Sequence, residues 1–311
     1  MDLQETKRFP SNHVNVDVPF ENLNLQAPFP GKGFMKYRKA QITLTSKKEE
    51  IVVKTVSDDA PVKLAKLQAD EVRKLATLVS NVNIAQFLGR CNNVPNLLCY
   101  EFVNGTKLGE YLRENFQPSK IHQYDNTKQK RYHVPEKGSV ETLPRVALQI
   151  ARGMKYLTAL KFLHPGLRSE KVIIDVSGQC KLYDFVSNDN AKDIMAILWD
   201  KSVPYQWMPP EYLFLEKLGP LVDVWSFGVL MWEIFSYGAL PHEGKGRSDV
   251  EKELRGKENL PLPNNCPGAI WQITLNCWAQ SPEKRPSFDH LSLQLSHMCN
   301  DNKEYDEIQS K

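Results

Sequence analysis

The chain has 311 residues, 41% of them hydrophobic and 25% charged, with a net charge of +3, which suits two ordinary globular domains or one two-lobed domain with a sizeable core. Its basic residues form no concentrated stripe, which argues against a nucleic-acid partner, and the densest run, Lys128 to Arg131, lies in a polar stretch and reads as a solvated face. The six cysteines make no C-x-x-C pair and no zinc-spaced cluster with histidine, and the chain has neither an apolar run of about 18 residues nor a signal-peptide core, so reduced thiols inside a cell and a segment needing no membrane contact are expected.

Residues 1–18 are polar, include Pro10, and are predicted to form a flexible leader. Strand-like alternation over 20–25 and 34–42, with the β-branched run 51–54, predicts a meander of antiparallel strands. Over 64–78 the apolar residues Leu64, Leu67, Val72, Leu75 and Leu78 recur at helical spacing. Strands over 84–88 and 97–102 complete a small β-rich unit spanning 19–102. From residue 103 the pattern turns helical, with helices at 108–114, 143–160, 225–237, 250–256, 270–280 and 288–298. The polar stretch 116–139 is expected to be a mobile insert. Residues 172–175 and 179–183 read as a hairpin turned at Ser177-Gly178, and 299–311 as a tail. A β-rich part followed by a larger helical part makes the fold class α+β.

The stretch His164-Pro-Gly-Leu-Arg-Ser-Glu-Lys171 has the frame H-R-D-L-x-x-x-N, and Asp184-Phe-Val186 stands where D-F-G would follow. Further landmarks come in order. Ile51-Val-Val-Lys54 matches V-A-I-K, and Glu71 lies in the helix that follows. Trp207-Met-Pro-Pro-Glu211, Asp223-Val-Trp-Ser-Phe-Gly228, Leu230-Met-Trp-Glu-Ile-Phe235, Cys277-Trp278 and Arg285-Pro-Ser-Phe288 come after the loop. With these residues the chain resembles the tyrosine-kinase branch of the protein-kinase family over about 20–298, and looks most like the cytoplasmic pseudokinase domain of a receptor tyrosine kinase. The resemblance implies a bilobal fold and the intracellular part of a single-pass membrane receptor.

Phosphoryl transfer is mostly positioning and charge stabilisation. In the family frame Pro165 replaces the Arg, Gly166 the catalytic Asp and Lys171 the metal-binding Asn. Gly166 can neither accept a proton nor orient a hydroxyl, a loss worth about 10²–10⁴-fold, and the ammonium of Lys171 cannot ligate Mg²⁺. Glu170 is the nearest carboxylate but has the wrong phase. Aligned on Phe34 and Ala40, the phosphate-covering loop carries Pro30, Lys32 and Met35 on its three glycine positions; a shortened loop using Gly31 and Gly33 is the alternative. Tyr100 falls at the gatekeeper position.

Lys54, Glu71 and Asp184 are retained, and two readings stay open. In one, Lys54 contacts nucleotide phosphates and Asp184 holds at most one metal ion, so that ATP with one Mg²⁺ is the cofactor. In the other there is no cofactor, and Lys171 joins these residues in an internal charge network, because a carboxylate in a cleft needs a partner. Between Asp184 and Pro204 there is no Tyr or Thr, and the arginine that would pair with a phosphate is Pro165, so switching of the usual kind is not expected. The apolar run 194–199 is expected to pack rather than face solvent. Structural landmarks remain: His164, the Glu211–Arg285 pair, and Asp223 holding the backbone of the 164–166 turn. Tyr305-Asp-Glu-Ile308 and Tyr124-Asp-Asn126 resemble phosphotyrosine motifs for SH2-domain proteins; the alternative is two polar, exposed segments. The expected partners are signalling proteins, an active tyrosine kinase among them.

Overall fold

A computed structural model describes residues 17–31, 33–44, 47–91, 94, 97–116, 142–200 and 203–309. It divides into two compact units. The first holds the described residues up to Asn81 together with Ala85–Phe102, and the second holds Val82–Ile84 and the described residues from Val103 on.

The first unit is a six-stranded sheet with one helix. Its strands are β1 (Asp17–Val18), β2 (Leu23–Pro28), β3 (Met35–Leu44), β4 (Lys47–Val56), β5 (Phe87–Cys91) and β6 (Leu98–Glu101), in spatial order β1-β5-β6-β4-β3-β2. β3 and β4 pair antiparallel from Met35↔Val56 to Leu44↔Lys47, which puts Ala40, Ile42, Ile51 and Val53 in register on one face. These four bury together with Val18, Cys91, Leu97 and Cys99. Here the predicted leader 1–18 ends too late: Val18 is 1% exposed and pairs in parallel with Cys91, because the core face of β5 needs a neighbour. Phe20–Asn22 forms a 3-10 turn ahead of β2 rather than strand. The helix α1 (Val62–Leu75) buries Leu64, Leu67, Glu71 and Leu75 along one stripe.

The second unit contains α2 (Leu108–Phe116), α3 (Leu143–Ala159), α4 (Ala191–Leu198), α5 (Pro210–Leu215), α6 (Pro220–Phe235), α7 (Arg247–Arg255), α8 (Gly268–Cys277) and α9 (Phe288–Gln309). Three short strands, β7 (Gly105–Lys107), β9 (Val172–Asp175) and β10 (Cys180–Leu182), form a sheet in the order β10-β9-β7, and β8 (Phe162–Leu163) pairs with β11 (Val186–Ser187). The β9–β10 turn is closed by Asp175, whose Oδ1 accepts from the N–H groups of Ser177 at 2.8 Å and Gln179 at 3.0 Å. α6 is apolar nearly all round and buried accordingly. Its Trp225 and Val229 join Trp207, Leu254 and Trp278 in one buried cluster.

Several boundaries differ from the sequence expectation. Val82–Ile84 goes with the second unit, where the N–H of Leu182 donates to the Asn83 carbonyl at 2.9 Å. Phe116 belongs to α2 rather than to the insert, since its ring is buried and stacks on Tyr237 at 5.5 Å. α9 runs past residue 298 to Gln309, so most of the expected tail has helical backbone. The six cysteines are free, Cys266 half-buried and the other five buried. Among the described residues no helix is long and apolar enough to cross a membrane.

Candidate functional site

The loop between β8 and β9 carries the degraded motif. Its entry is fixed by Asp223 in the first turn of α6, whose Oδ2 accepts the His164 N–H at 2.8 Å. Burial lifts the Asp223 carboxyl to about 7, and that hydrogen bond pulls it down. The Leu167 N–H returns to the His164 carbonyl at 3.1 Å, closing a turn around Pro165 and Gly166. Gly166 has φ +69°, a left-handed conformation that glycine adopts freely. A Cβ there would meet Arg168 Nη1 at 3.1 Å and Pro204 Cγ at 3.3 Å. His164 is fully buried, and its imidazole is driven down to about 3, first by burial and then by the Lys171 charge; nearby carbonyls pull the other way without prevailing. It is therefore neutral.

Glu233, on the buried side of α6, holds the rest of the loop. Its carboxylate accepts from Ser169 Oγ at 2.6 Å, from the Ser169 N–H at 3.1 Å and from Trp207 Nε1 at 3.0 Å. Burial raises it to about 7 and the Ser169 and Trp207 bonds oppose the rise. Arg168 donates to the Gly166 carbonyl at 3.0 Å and lies 5.6 Å from the Trp207 ring. Glu233 lies in the Leu230–Phe235 landmark and Arg168 at a variable position of the loop frame, and the frame gives neither a function. The sequence signal for Glu233 is a carboxylate in a largely apolar helix, a feature it shares with Asp223.

Lys171 and Asp184 meet directly as an ion pair. Burial pushes the Asp184 carboxyl up to about 7. Asp184 has φ +68°, in the left-handed region. The same ammonium sits 5.5 Å from the Tyr183 ring, and the Tyr183 hydroxyl donates to the Glu170 carbonyl. The Glu170 carboxylate is engaged elsewhere, with Lys107 at 3.1 Å and Arg113 at 3.7 Å.

Beyond Asp184 the apolar run is the helix α4, which buries Ile194 and Met195. Trp199 follows and meets Tyr212 edge-on at 5.2 Å. Glu211 and Arg285 form a two-pronged pair, Nη1–Oε1 at 2.5 Å and Nη2–Oε2 at 2.9 Å. Arg285 also donates to the carbonyls of Leu221 at 2.8 Å and Ala279 at 3.0 Å.

In the first unit, Lys54 on β4 and Glu71 on α1 are 8% and 4% exposed. Burial lowers the Lys54 ammonium to about 8 while the Glu71 charge raises it. Tyr37 on β3 is its aromatic neighbour, 5.7 Å from Nζ to ring centroid. Tyr100 is held well above the usual phenol range by burial, the Glu71 charge and Cys99. Pro30 lies in the turn between β2 and β3, and Met35 opens β3 opposite Val56. A Cβ at Gly31 or Gly33 would meet nothing within 4 Å, so neither glycine answers to a close approach within this chain. Tyr305 lies on the helical backbone of α9. Lys32 and Tyr124 lie outside the described residues.

The family model for protein tyrosine and serine/threonine kinases matches residues 31–295. Fibroblast growth factor receptor 1 of Xenopus laevis is 32% identical over 263 residues, covering 78% of this chain and 31% of that protein. Tyrosine kinase receptor Cad96Ca of Drosophila melanogaster is 30% identical over 268 residues, covering 83% of this chain and 33% of that protein. The chain thus spans about a third of the length of these relatives.

Proposed function

The chain belongs to the protein tyrosine and serine/threonine kinase family, and we propose that it is a catalytically impaired, tyrosine-kinase-like member that signals by conformation and protein docking. One observation carries the reading: the carboxylate counterpart of the metal-binding Asp is engaged by the ammonium of Lys171. A kinase neutralises the phosphates with metal ions held by that Asp and by an Asn. Here the Asn position supplies a cation with no lone pair for a metal, and that cation occupies the remaining carboxylate. These residues do not fit a Mg²⁺ pair. Gly166 adds no base, and Glu170, the nearest carboxylate, is bound to Lys107 and Arg113. The contacts that hold the fold, Glu211 with Arg285 and Asp223 with the 164 backbone, are kept.

The relatives are named as receptors, which supports placing this chain as the intracellular part of a single-pass membrane receptor, with signalling proteins, an active tyrosine kinase or SH2-domain proteins at Tyr305 or Tyr124 as its partners. The test pairs thermal melting in ATP, with and without Mg²⁺ or Mn²⁺, with a radiolabel autophosphorylation assay. No label is the expected result. Label that Asp184→Asn abolishes would overturn the proposal. A melting shift without label would keep docking as the function and add nucleotide as a ligand; ligand at 100 times Kd adds about 2.7 kcal/mol.

A further inference from the structure

The sheet face that carries Lys54 also carries an aromatic side chain where the phosphate-loop motif has a valine. The pairings Tyr37↔Lys54 and Lys54↔Leu98 set these three residues in one row across β3, β4 and β6, and cross-strand neighbours share a face. Lys39, Val52 and Tyr100 form the adjacent row on that face. The 5.7 Å from Lys54 Nζ to the Tyr37 centroid lies within cation–π reach. Because Lys54 is 8% exposed, its ammonium has lost most of its water, the condition under which an aromatic face attracts a cation most strongly. Glu71 contributes a carboxylate from α1. The counter-charge that a buried ammonium needs is thus present inside the unit. With the loop aligned on Phe34 and Ala40, Tyr37 takes the Val position of G-x-G-x-x-G-x-V, and valine has no ring face to offer.

We infer that Tyr37 is a resident partner of Lys54: its ring holds the ammonium that would otherwise receive the phosphates of a nucleoside triphosphate, and removing it confers nucleotide binding without phosphoryl transfer. The inference rests on the proposed function only in expecting no transfer. Tyr37→Val, Tyr37→Leu, Tyr37→Phe and the double variant Tyr37→Val/Lys54→Met are compared with wild type, using calorimetric titration of the whole chain with ATP and with inorganic tripolyphosphate, in EDTA. The ligand-free melt of each variant checks folding, and Tyr37→Leu serves if Tyr37→Val does not fold.

The folded aliphatic variant should bind both probes at least about tenfold more tightly than wild type. Tyr37→Phe, which keeps the ring, should stay at the wild-type level, and adding Lys54→Met should remove the gain. Wild-type affinity in the aliphatic variant, an equal gain in Tyr37→Phe, or a gain that survives Lys54→Met would each overturn the inference. So would a gain for ATP with none for tripolyphosphate, which would locate the effect at the base. The readout is binding, so radiolabel transfer by the wild-type chain would refute the proposed function and leave this result standing.

Discussion

Replacing Lys171 by methionine removes the ammonium while keeping most of the side-chain bulk, and it should destabilise the protein in a pH-dependent way. Burial lifts the Asp184 carboxyl to about 7 with the Lys171 ammonium in place, against about 3.9 for an aspartate in an unfolded chain. Removing the cation lifts the folded-state value further, so Asp184 of the variant keeps its proton to higher pH than in wild type, while the unfolded chain releases it near ~3.9. The stability this proton carries is fully present below about pH 4 in both proteins; wild type loses it as pH rises through about 7, and the variant goes on losing it above that. Each pH unit of further rise costs the variant about 1.4 kcal/mol relative to wild type. Asp223 and Glu233 are also lifted to about 7 by burial, but they act in both proteins and cancel in the difference. Urea unfolding of wild type and Lys171→Met at pH 5 and pH 8 measures it. The gap between them should widen by roughly 1 kcal/mol from the lower to the higher pH, and adding Asp184→Asn should abolish the widening. An equal gap at both values, or a widening that persists without the Asp184 carboxyl, would refute the reasoning.

Arg285→Ala should cost ~3–5 kcal/mol in the same assay, because it leaves the Glu211 carboxylate and two carbonyls without their donor; a loss under ~1 kcal/mol would show that the pair is hydrated. Gly166→Asp should restore no phosphoryl transfer and should lower stability by ~1–2 kcal/mol, since a side chain at φ +69° is strained and its Cβ meets Arg168 and Pro204. Restored radiolabel transfer would contradict this. The His164 imidazole, driven down to about 3, should show no NMR titration between pH 5 and 8; a midpoint inside that window would contradict its burial.

The elements legible in the sequence were those with a strong local period or a tight turn. α1 buries Leu64, Leu67 and Leu75 of its predicted stripe, although Val72 is only half-buried and Leu78 lies past the helix end at Leu75; α3 spans nearly the predicted range, and the β9–β10 hairpin turns where Ser177-Gly178 stands. The remainder depends on contacts distant in sequence. Two-residue β1 exists because Arg90 and Cys91 offer it an edge, and no local pattern announces that. α6 begins at Pro220, five residues before the predicted start at Trp225, because a helix apolar all round has no periodicity to locate its end. α4 was readable as an apolar run that packs, but eight residues without a side-chain cap give no helix signal.

The site divides along a similar line. Lys171 beside Asp184, Asp223 on the 164 backbone, and Glu211 with Arg285 could be expected from position in a known frame, since the frame itself carries the three-dimensional information. Tyr37, Arg168 and Glu233 take their roles from what lies across a sheet or beneath a loop, which their places in the frame do not show. Their contacts change the meaning of the substitutions that were visible. Gly166 is a missing base in the sequence; in the structure it is also a left-handed turn whose side-chain space borders the Arg168 guanidinium. Lys171 is a missing ligand in the sequence; in the structure it is also the counter-ion of a buried carboxylate. Gly166 and Lys171 thus each have a structural partner, Arg168 and Asp184, so replacing either residue alone strands a group that the fold now holds.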